Sequence, residues 1–168
     1  MTTKNQNSLL DAKVWNSLEQ YAIVHSVIEC NPDWADTVEF VQHYPYTAGQ
    51  SANTLIVAGK VNPLKYAICV VLATTKLDVN KKVCQLLDVK RASFARSDQT
   101  LQLTGMKIGG VTAFGLPDGL PIFIDAAVMK NQQVVMGGGN RTSKLVLDPR
   151  ELLKLPNVEI VENLANQK

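Results

Sequence analysis

Two apolar, β-branched runs decide the fold of this chain: Thr54-Leu55-Ile56-Val57-Ala58 and Tyr66-Ala67-Ile68-Cys69-Val70-Val71-Leu72-Ala73. The turn formers Gly59 to Pro63 lie between the two runs, so the pattern predicts a β-hairpin. Both runs are apolar without alternation, which is typical of strands that are covered on both faces of a sheet. The hairpin is therefore expected at the centre of the sheet.

Shorter patterns on either side predict more strands than helices. Residues 1–50 fit a helix beginning near Ser8, then a strand and a second short helix. Three further strands are expected at 121–124, 133–136 and 143–147. The segment 159–168 is polar, which favours partial disorder. No repeat or linker divides the 168 residues, so we expect a single α+β domain over 1–168 with a mixed sheet.

The charge balance is nearly even over the whole chain but not within it. Lys plus Arg number 17 and Asp plus Glu 15, and this net charge of +2 argues against a large nucleic-acid-binding surface. Residues 41–107, however, hold nine basic and three acidic side chains. This segment forms either a basic face suited to a polyanion or an ordinary solvated surface, and the sequence leaves both interpretations open.

Neither a membrane span nor a disulfide is expected. The longest uncharged apolar run, 66–75, is far shorter than the roughly 20 residues that span a bilayer, and no apolar signal segment follows the polar residues 1–7. Cys30, Cys69 and Cys84 lack close spacing and predict reduced thiols in a cytoplasmic protein. The two histidines form no metal-ligand pattern, so no metal is expected.

Two glycine clusters are candidates for binding chemistry. The first extends from Gly105 to Gly115 and the second from Gly137 to Lys144. Their N–H groups can hold a phosphate or a carbonyl oxygen, or the clusters are tight connections between strands. A dinucleotide-binding turn is excluded, because a strand-like run rather than a helix follows the second cluster. Neither His25 nor His43 lies in a context that marks a general base.

In their order along the chain, these segments resemble the YbaK/ProX family of aminoacyl-tRNA deacylases, which is related to the editing domain of prolyl-tRNA synthetase. The resemblance extends from about Ser51 to about Leu155. It rests on the motifs Asn53-Thr54-Leu55-Ile56-Val57, Leu87-Asp88-Val89-Lys90-Arg91-Ala92, Leu103-Thr104-Gly105 to Phe114-Gly115, Pro121-Ile122-Phe123-Ile124-Asp125 and Gly138-Gly139-Asn140-Arg141.

The resemblance implies a highly curved, barrel-like sheet with flanking helices. It also implies a free-standing trans-editing enzyme that hydrolyses the ester between a mischarged amino acid and the terminal adenosine of tRNA. Its partners would be the aminoacylated tRNA and an aminoacyl-tRNA synthetase, and no cofactor is implied. Backbone amides of a glycine loop would hold the carbonyl group, while the substrate's own ribose hydroxyl assists the attacking water.

The residues expected to carry this function form three groups. The catalytic group is Asn53, Gly109, Gly110 and Thr112. The group that binds the aminoacyl-adenosine end is Thr54, Asp125, Gly138, Gly139, Arg141, Ser143 and Lys144. The group that contacts the rest of the tRNA is Lys60, Lys81, Lys82, Lys90 and Arg91. Asp125 ends a predicted strand and equally fits a helix cap.

Two positions depart from the family pattern. Asn53 stands where the family has its pocket lysine, and Ala113 stands where the glycine loop has a proline. An amide donates a hydrogen bond but carries no positive charge. Lys144 or Arg141 is a candidate replacement for that charge, whereas Lys60 lies too far along the strand. The alternative function is a non-catalytic module that binds tRNA or an aminoacyl-adenosine-like ligand.

Overall fold

A mixed five-stranded sheet forms the centre of the protein, whose computed structural model describes residues 8–168. In spatial order its strands are β5 (Ala92–Phe94), β2 (Ala52–Gly59), β3 (Lys65–Leu72), β6 (Ile122–Asp125) and β9 (Val158–Val161). β2 and β3 are antiparallel and paired along their whole length, which confirms the predicted hairpin. β5 is antiparallel to the end of β2, whereas β6 is parallel to both β3 and β9.

Two smaller sheets flank this central sheet. The first contains, in spatial order, the antiparallel strands β1 (Ser26–Glu29), β8 (Ser143–Leu147) and β7 (Val134–Gly137). The second pairs β4 (Thr75–Leu77) with β10 (Ala165–Gln167). The expectation of a barrel-like sheet is corrected here: within the described residues the outer strands β5 and β9 do not pair with each other, so no barrel closes.

Helical segments pack around the sheets. Within residues 8–168 the α-helices are α1 (Ala12–Gln20), α2 (Thr37–His43), α3 (Cys84–Leu87) and α4 (Ser97–Thr104). A π-helical turn (Val79–Val83) leads into α3, and short 3-10 helices occupy Pro32–Trp34, Ala48–Gln50, Ala126–Lys130 and Pro149–Lys154. α1 begins later than expected, because Asp11 rather than Ser8 accepts the capping hydrogen bond, from the backbone N–H of Lys13.

Apolar side chains cover both faces of the central sheet, as the continuous apolar runs predicted. On one face Ile56 and Ile68 belong to a cluster with Val14 of α1 and Leu145 of β8. On the other face Val57 and Val71 pack with the side chains of the π-helical turn and α3, including Val83 and Leu87. The two clusters hold β2 and β3 rigidly, which fixes the position of side chains at the ends of these strands.

The C-terminal segment forms strands, so the expectation of partial disorder was wrong. β9 extends the central sheet, and β10 pairs residue by residue with β4. Leu164 is completely buried, and the Asp125 carboxylate accepts a hydrogen bond of 3.1 Å from its backbone N–H. Strand pairing satisfies backbone groups whatever the side chains are, so a polar sequence does not prevent it.

Expectations about residues 1–7 lie outside the described part of the chain. Cys30, Cys69 and Cys84 are buried free thiols, and burial raises the pKa of Cys69 to about 12. Across residues 8–168, each helix is too short or too polar to cross a bilayer.

Candidate functional site

A cavity of about 220 Å³ lies beside the first half of β2, along the edge that the short strand β5 leaves uncovered. Three chain regions close around it: the start of α2, the first glycine cluster, and strands β7 and β8. The side chains and backbone that line it belong to Ala35, Asp36, Thr37, Phe40, Ser51, Ala52, Asn53, Thr54, Leu55, Ile108, Gly109, Val111, Val135, Met136, Gly137 and Lys144. Four of the residues predicted from the sequence are therefore brought together here: Asn53, Thr54, Gly109 and Lys144.

Lys144 carries a positive charge into this cavity from β8. Its side chain is only 7% exposed. The ammonium group donates hydrogen bonds to the carbonyl oxygens of Ala35, at 2.6 Å, and Gly109, at 2.9 Å. It also lies 5.4 Å from the centroid of the Phe40 ring, close enough for a cation–π interaction. Burial lowers the pKa of Lys144 from its ordinary value, because the charged form loses hydration.

Arg141 holds the cavity walls together without lining the cavity. Its guanidinium donates to the Pro32 carbonyl at 2.8 and 3.1 Å and to the Ile108 carbonyl at 2.8 Å. The same group pairs with the Asp36 carboxylate, at 3.2 and 3.4 Å. One side chain thus joins the segment before α2, the first glycine cluster and the turn between β7 and β8.

The glycines of the two clusters allow two backbone segments to touch. A Cβ on Gly110 would lie 2.4 Å from the carbonyl oxygen of Asn140, and a Cβ on Gly137 would lie 2.4 Å from that of Val111. Between the clusters, the Gly139 N–H donates to the Gly110 carbonyl at 2.8 Å. The glycines are therefore needed for close backbone packing, and among the glycines of the two clusters only Gly109 and Gly137 line the cavity.

Asn53 and Thr54 reach the cavity from β2. The Asn53 side-chain oxygen accepts a hydrogen bond of 2.8 Å from the Thr37 hydroxyl, which ties β2 to α2. Thr54 is buried, and its hydroxyl has no hydrogen-bond partner within the described residues. At this position β2 thus supplies neutral polar groups, while the positive charge comes from the opposite wall.

Other residues predicted for the site lie outside the cavity lining. The Ser143 hydroxyl donates to Asn140, at 2.7 Å, within its own turn, and Thr112 is completely buried. Asp125 lies at the end of β6, where its carboxylate accepts from the backbone N–H groups of Leu164 and Ala165. Burial raises the pKa of Asp125. The other predicted site residues that do not line the cavity are Gly110, Gly138, Gly139 and Arg141.

The basic residues predicted to contact tRNA do not line this cavity either. Lys60, Lys81, Lys90 and Arg91 are exposed, and Lys82 is half-buried. Lys60 and Arg91 are neighbours across the end of the sheet, since the Lys60 N–H donates to the Arg91 carbonyl at 2.8 Å. These positions form part of the protein surface on the side of β5 and the π-helical turn.

Three residues around α2 were missed by sequence reasoning: Asp36, Thr37 and Phe40. Asp36 immediately precedes the helix and has the type of side chain that caps helices, yet it makes no capping hydrogen bond. Its carboxylate turns to Arg141 instead, and its side chain remains 58% exposed. Within the described residues, no group of three His, Cys, Asp or Glu side chains is arranged to hold a metal ion.

Comparison with known proteins identifies the family. Residues 31–155 match the aminoacyl-tRNA editing domain. The chain belongs to this family. The match covers most of the chain and confirms the resemblance to the YbaK/ProX deacylases. It includes every segment that surrounds the cavity, from the 3-10 helix before α2 to β8.

One curated protein and two solved structures are similar to this chain. The uncharacterized protein YwhH of Bacillus subtilis (strain 168) is 34% identical over 85 residues, which are 51% of this chain and 53% of that protein, so the match spans about half of either. The crystal structure of hypothetical protein APE2540 has a TM-score of 0.80 at 21% identity, covering 89% of this chain and 97% of that one. A proposed trans-editing enzyme for prolyl tRNA synthetase has a TM-score of 0.79 at 23% identity, covering 93% and 96%. These two structures share the fold of the editing domain.

Proposed function

We propose that this editing domain hydrolyses the ester bond of a mischarged aminoacyl-tRNA, with the aminoacyl group held in the cavity beside β2. One observation supports this proposal beyond the family itself: the Lys144 ammonium, the Gly109 backbone and the Asp36 carboxylate border the same small space. An α-amino ester presents a carbonyl oxygen next to an ammonium group. The cavity thus offers a carboxylate to the ammonium group and a cation to the carbonyl oxygen, whose negative charge grows as water adds.

The cavity volume suits the aminoacyl group rather than a whole nucleotide. Its 220 Å³ is smaller than the roughly 300–1,000 Å³ of sites that enclose drug-sized ligands. Phe40, Val135 and Met136 supply apolar walls. The space therefore fits a small amino-acid side chain together with the attacking water, while the terminal adenosine stays outside.

Lys144 and Gly109 are proposed to stabilise the negative charge that develops on the carbonyl oxygen. An ammonium group has three N–H donors, and two of them are used for the carbonyl groups of Ala35 and Gly109. The third is free to bond the oxyanion, with more effect in a buried site than in water. The Gly110 N–H already donates to the Lys107 carbonyl at 2.9 Å. We therefore assign the contribution of this loop to oxyanion stabilisation to Gly109.

Asp36 is proposed to bind the α-ammonium group of the substrate. Its Oδ1 atom would lie 2.9 Å from a Cβ built on Gly109, which places the carboxylate next to the proposed carbonyl site. Arg141 fixes the orientation of this carboxylate. An amino acid bound in this way presents its free amine to Asp36 and its ester carbonyl to Lys144.

The reaction needs no protein base in this arrangement. Water adds to the carbonyl carbon, the bond between that carbon and the ribose oxygen breaks, and the ribose oxygen receives a proton. The adjacent ribose hydroxyl is placed to relay the proton from water to the leaving oxygen. The products are a free amino acid and an intact tRNA, and Asn53 contributes hydrogen bonding rather than charge.

Exposed basic residues are proposed to hold the rest of the tRNA while the domain acts in trans in the cytoplasm. The segment from β4 to β5 carries Lys81, Lys82, Lys90 and Arg91, and Lys60 lies beside it. Neutralising Lys81, Lys82, Lys90 and Arg91 together should weaken tRNA binding and reduce its salt dependence. Unchanged affinity would show that the tRNA is bound elsewhere.

The direct test is hydrolysis of a panel of tRNAs, each charged with a different amino acid. We expect release of the amino acid from at least one small-side-chain member, and loss of that release in Lys144→Met. Absence of hydrolysis above background across the panel would overturn the proposal. If the wild type binds tRNA without hydrolysis and Asn53→Lys hydrolyses it, the chain is instead the non-catalytic module named as the alternative.

A further inference from the structure

A second cavity, of about 450 Å³, lies on the side of the central sheet that faces β4 and β10. Its walls come from β4, the π-helical turn, β5 and β10. The lining residues include Lys76, Asp78, Asn80, Phe94, Asn166 and Gln167. The Asp78 carboxylate caps the turn by accepting from the Lys81 N–H. The cavity thus combines an aromatic ring, side-chain amides and a lysine.

Phe94 is an unusual wall for a cavity lined by polar side chains, because 52% of this large apolar residue is exposed. Its neighbour on β2, Val57, is completely buried in the core. More than half of Phe94 is thus accessible to solvent, although its paired position on β2 is buried. Flat aromatic faces of this kind stack on unpaired nucleobases, and neighbouring amides can bond to base edges.

The second cavity adjoins the proposed active site through β2. Leu55 lines the first cavity, and Val57, two residues further along, is paired with Phe94. Two residues of strand cover about 7 Å, and the next strand lies about 5 Å to the side. Paired residues point to the same face of a sheet, and residues 53, 55 and 57 share that face. Asn53 and Phe94 thus lie on one side of the sheet.

The charge around the second cavity fits a polyanion. Between β4 and β5, residues 76–94 hold five basic side chains against Asp78 and Asp88. Four of the five basic side chains are exposed: Lys76, Lys81, Lys90 and Arg91. Phosphate groups on either side of a stacked base would meet these cations, whereas an apolar peptide would leave them unused.

We propose that Phe94 and the second cavity hold a nucleobase of the single-stranded 3′ end of tRNA, adjacent to the terminal adenosine. This inference rests on the proposed function, since it assumes that the terminal aminoacyl group occupies the first cavity. The strand would leave that cavity past Leu55 and place the next unpaired base on the Phe94 ring. The second cavity thereby provides tRNA affinity that the small first cavity lacks.

The test compares two substrates in Phe94→Ala: an aminoacyl-tRNA and the corresponding aminoacyl-adenosine, which lacks the upstream nucleotides. A lost stacking contact should raise KM for the tRNA by about 5- to 150-fold. kcat/KM for aminoacyl-adenosine should stay at the wild-type value, and Phe94→Trp should retain the wild-type KM for tRNA. Ile160→Ala, which truncates a similarly exposed residue on β9 at the opposite edge of the sheet, should change neither.

The outcomes separate this inference from the proposed function. Equal losses on both substrates, or no loss on either, would overturn the role of Phe94 while leaving hydrolysis in place. If the wild type hydrolyses neither substrate, the proposed function fails. Binding of a short single-stranded RNA that ends in adenosine then decides the inference by itself. Phe94→Ala should weaken that binding about 5- to 150-fold, and unchanged binding would refute the stacking contact.

Discussion

The ammonium group of Lys144 and the carbonyl oxygen of Gly109 are joined by a hydrogen bond of 2.9 Å. The bond links β8 to the first glycine cluster, and it places a cation on the wall opposite β2. Asn53, to which the resemblance assigns the position of the family's pocket lysine, therefore faces a cavity that already contains a positive charge. The site therefore has a positive charge, from Lys144, even though residue 53 is an asparagine.

Lys144→Met should abolish most of the catalytic activity while keeping the bulk of the side chain. Loss of one oxyanion donor in other enzymes reduces kcat by about 10²- to 10³-fold, and we expect a decrease in that range here. Single-turnover hydrolysis of a charged tRNA measures it. Lys130→Met, an exposed lysine outside the cavity lining, is the matched control for loss of charge and should retain the rate of the chemical step.

The lowered pKa of Lys144 also predicts a pH dependence of stability. The unfolded chain holds this proton up to the ordinary value of 10.5, whereas the folded chain releases it at lower pH. The unfolding free energy of the wild type should therefore rise with pH between these two values, relative to Lys144→Met. The rise is at most about 1.4 kcal/mol per pH unit. Urea unfolding of both proteins at increasing pH measures it, and a constant difference would contradict the prediction.

Gly109→Ala should damage the site more than an equivalent change elsewhere. Gly109 has φ +92°, and an added Cβ would lie 2.1 Å from Arg141 Nη1. Gly119→Ala is the matched control, because Gly119 has φ +85° and open space around it. Both variants carry backbone strain of about 1–2 kcal/mol. Gly109→Ala should additionally lose at least about tenfold in hydrolysis, through the displaced guanidinium; equal activities would exclude this effect.

Asp36→Asn should remove discrimination between free and blocked amino groups. The wild type is expected to prefer an aminoacyl-tRNA over its N-acetylated form, because acetylation removes the ammonium charge that Asp36 binds. In Asp36→Asn, kcat/KM should fall about 5- to 100-fold for the free amine and stay nearly constant for the acetylated substrate. A loss that is equal for both substrates would indicate that Asp36 acts only through its contact with Arg141.

Asp125→Ala should destabilise the protein without affecting the chemical step. The carboxylate accepts hydrogen bonds from the buried N–H groups of Leu164 and Ala165, and these groups would lose their partner. The expected cost is about 1–3 kcal/mol, measured by urea unfolding. Asp125→Asn retains an oxygen acceptor and should recover most of the lost free energy of unfolding. A specific decrease in kcat at full stability would instead favour the substrate-binding role expected from the sequence.

Local patterns in the sequence were sufficient for the hairpin of β2 and β3, because continuous apolar runs are characteristic of strands buried on both faces. Local patterns were not sufficient to predict β10. The side chains of Asn166 and Gln167 are polar and exposed, and it is the backbone pairing with β4 that orders them. Such pairing depends on which strand edge is free in the folded protein, and no local pattern contains that information.

The residues of the candidate site were likewise only partly predictable from the sequence. Gly109 and Lys144 were found because glycine clusters and nearby cations have a recognisable chemistry. Asp36 was missed because a carboxylate before a helix predicts a cap, and its partner Arg141 is 105 residues away in the chain. The need for glycine at Gly110 and Gly137 comes from two backbones in contact, which only the folded structure shows.

Arg141 joins cavity walls that are far apart in the chain, and this has a practical consequence for finding the substrate. The cavity walls come from segments about a hundred residues apart, so the unfolded chain has no binding site for the ligand. A compound that fills the cavity must then shift the folding equilibrium by mass action, by about 2.7 kcal/mol at a hundred times its Kd. Non-hydrolysable aminoacyl-adenosine analogues, one for each amino acid, can be ranked by the increase in melting temperature that they cause. This ranking would identify the amino acid released in the proposed reaction without any tRNA being charged.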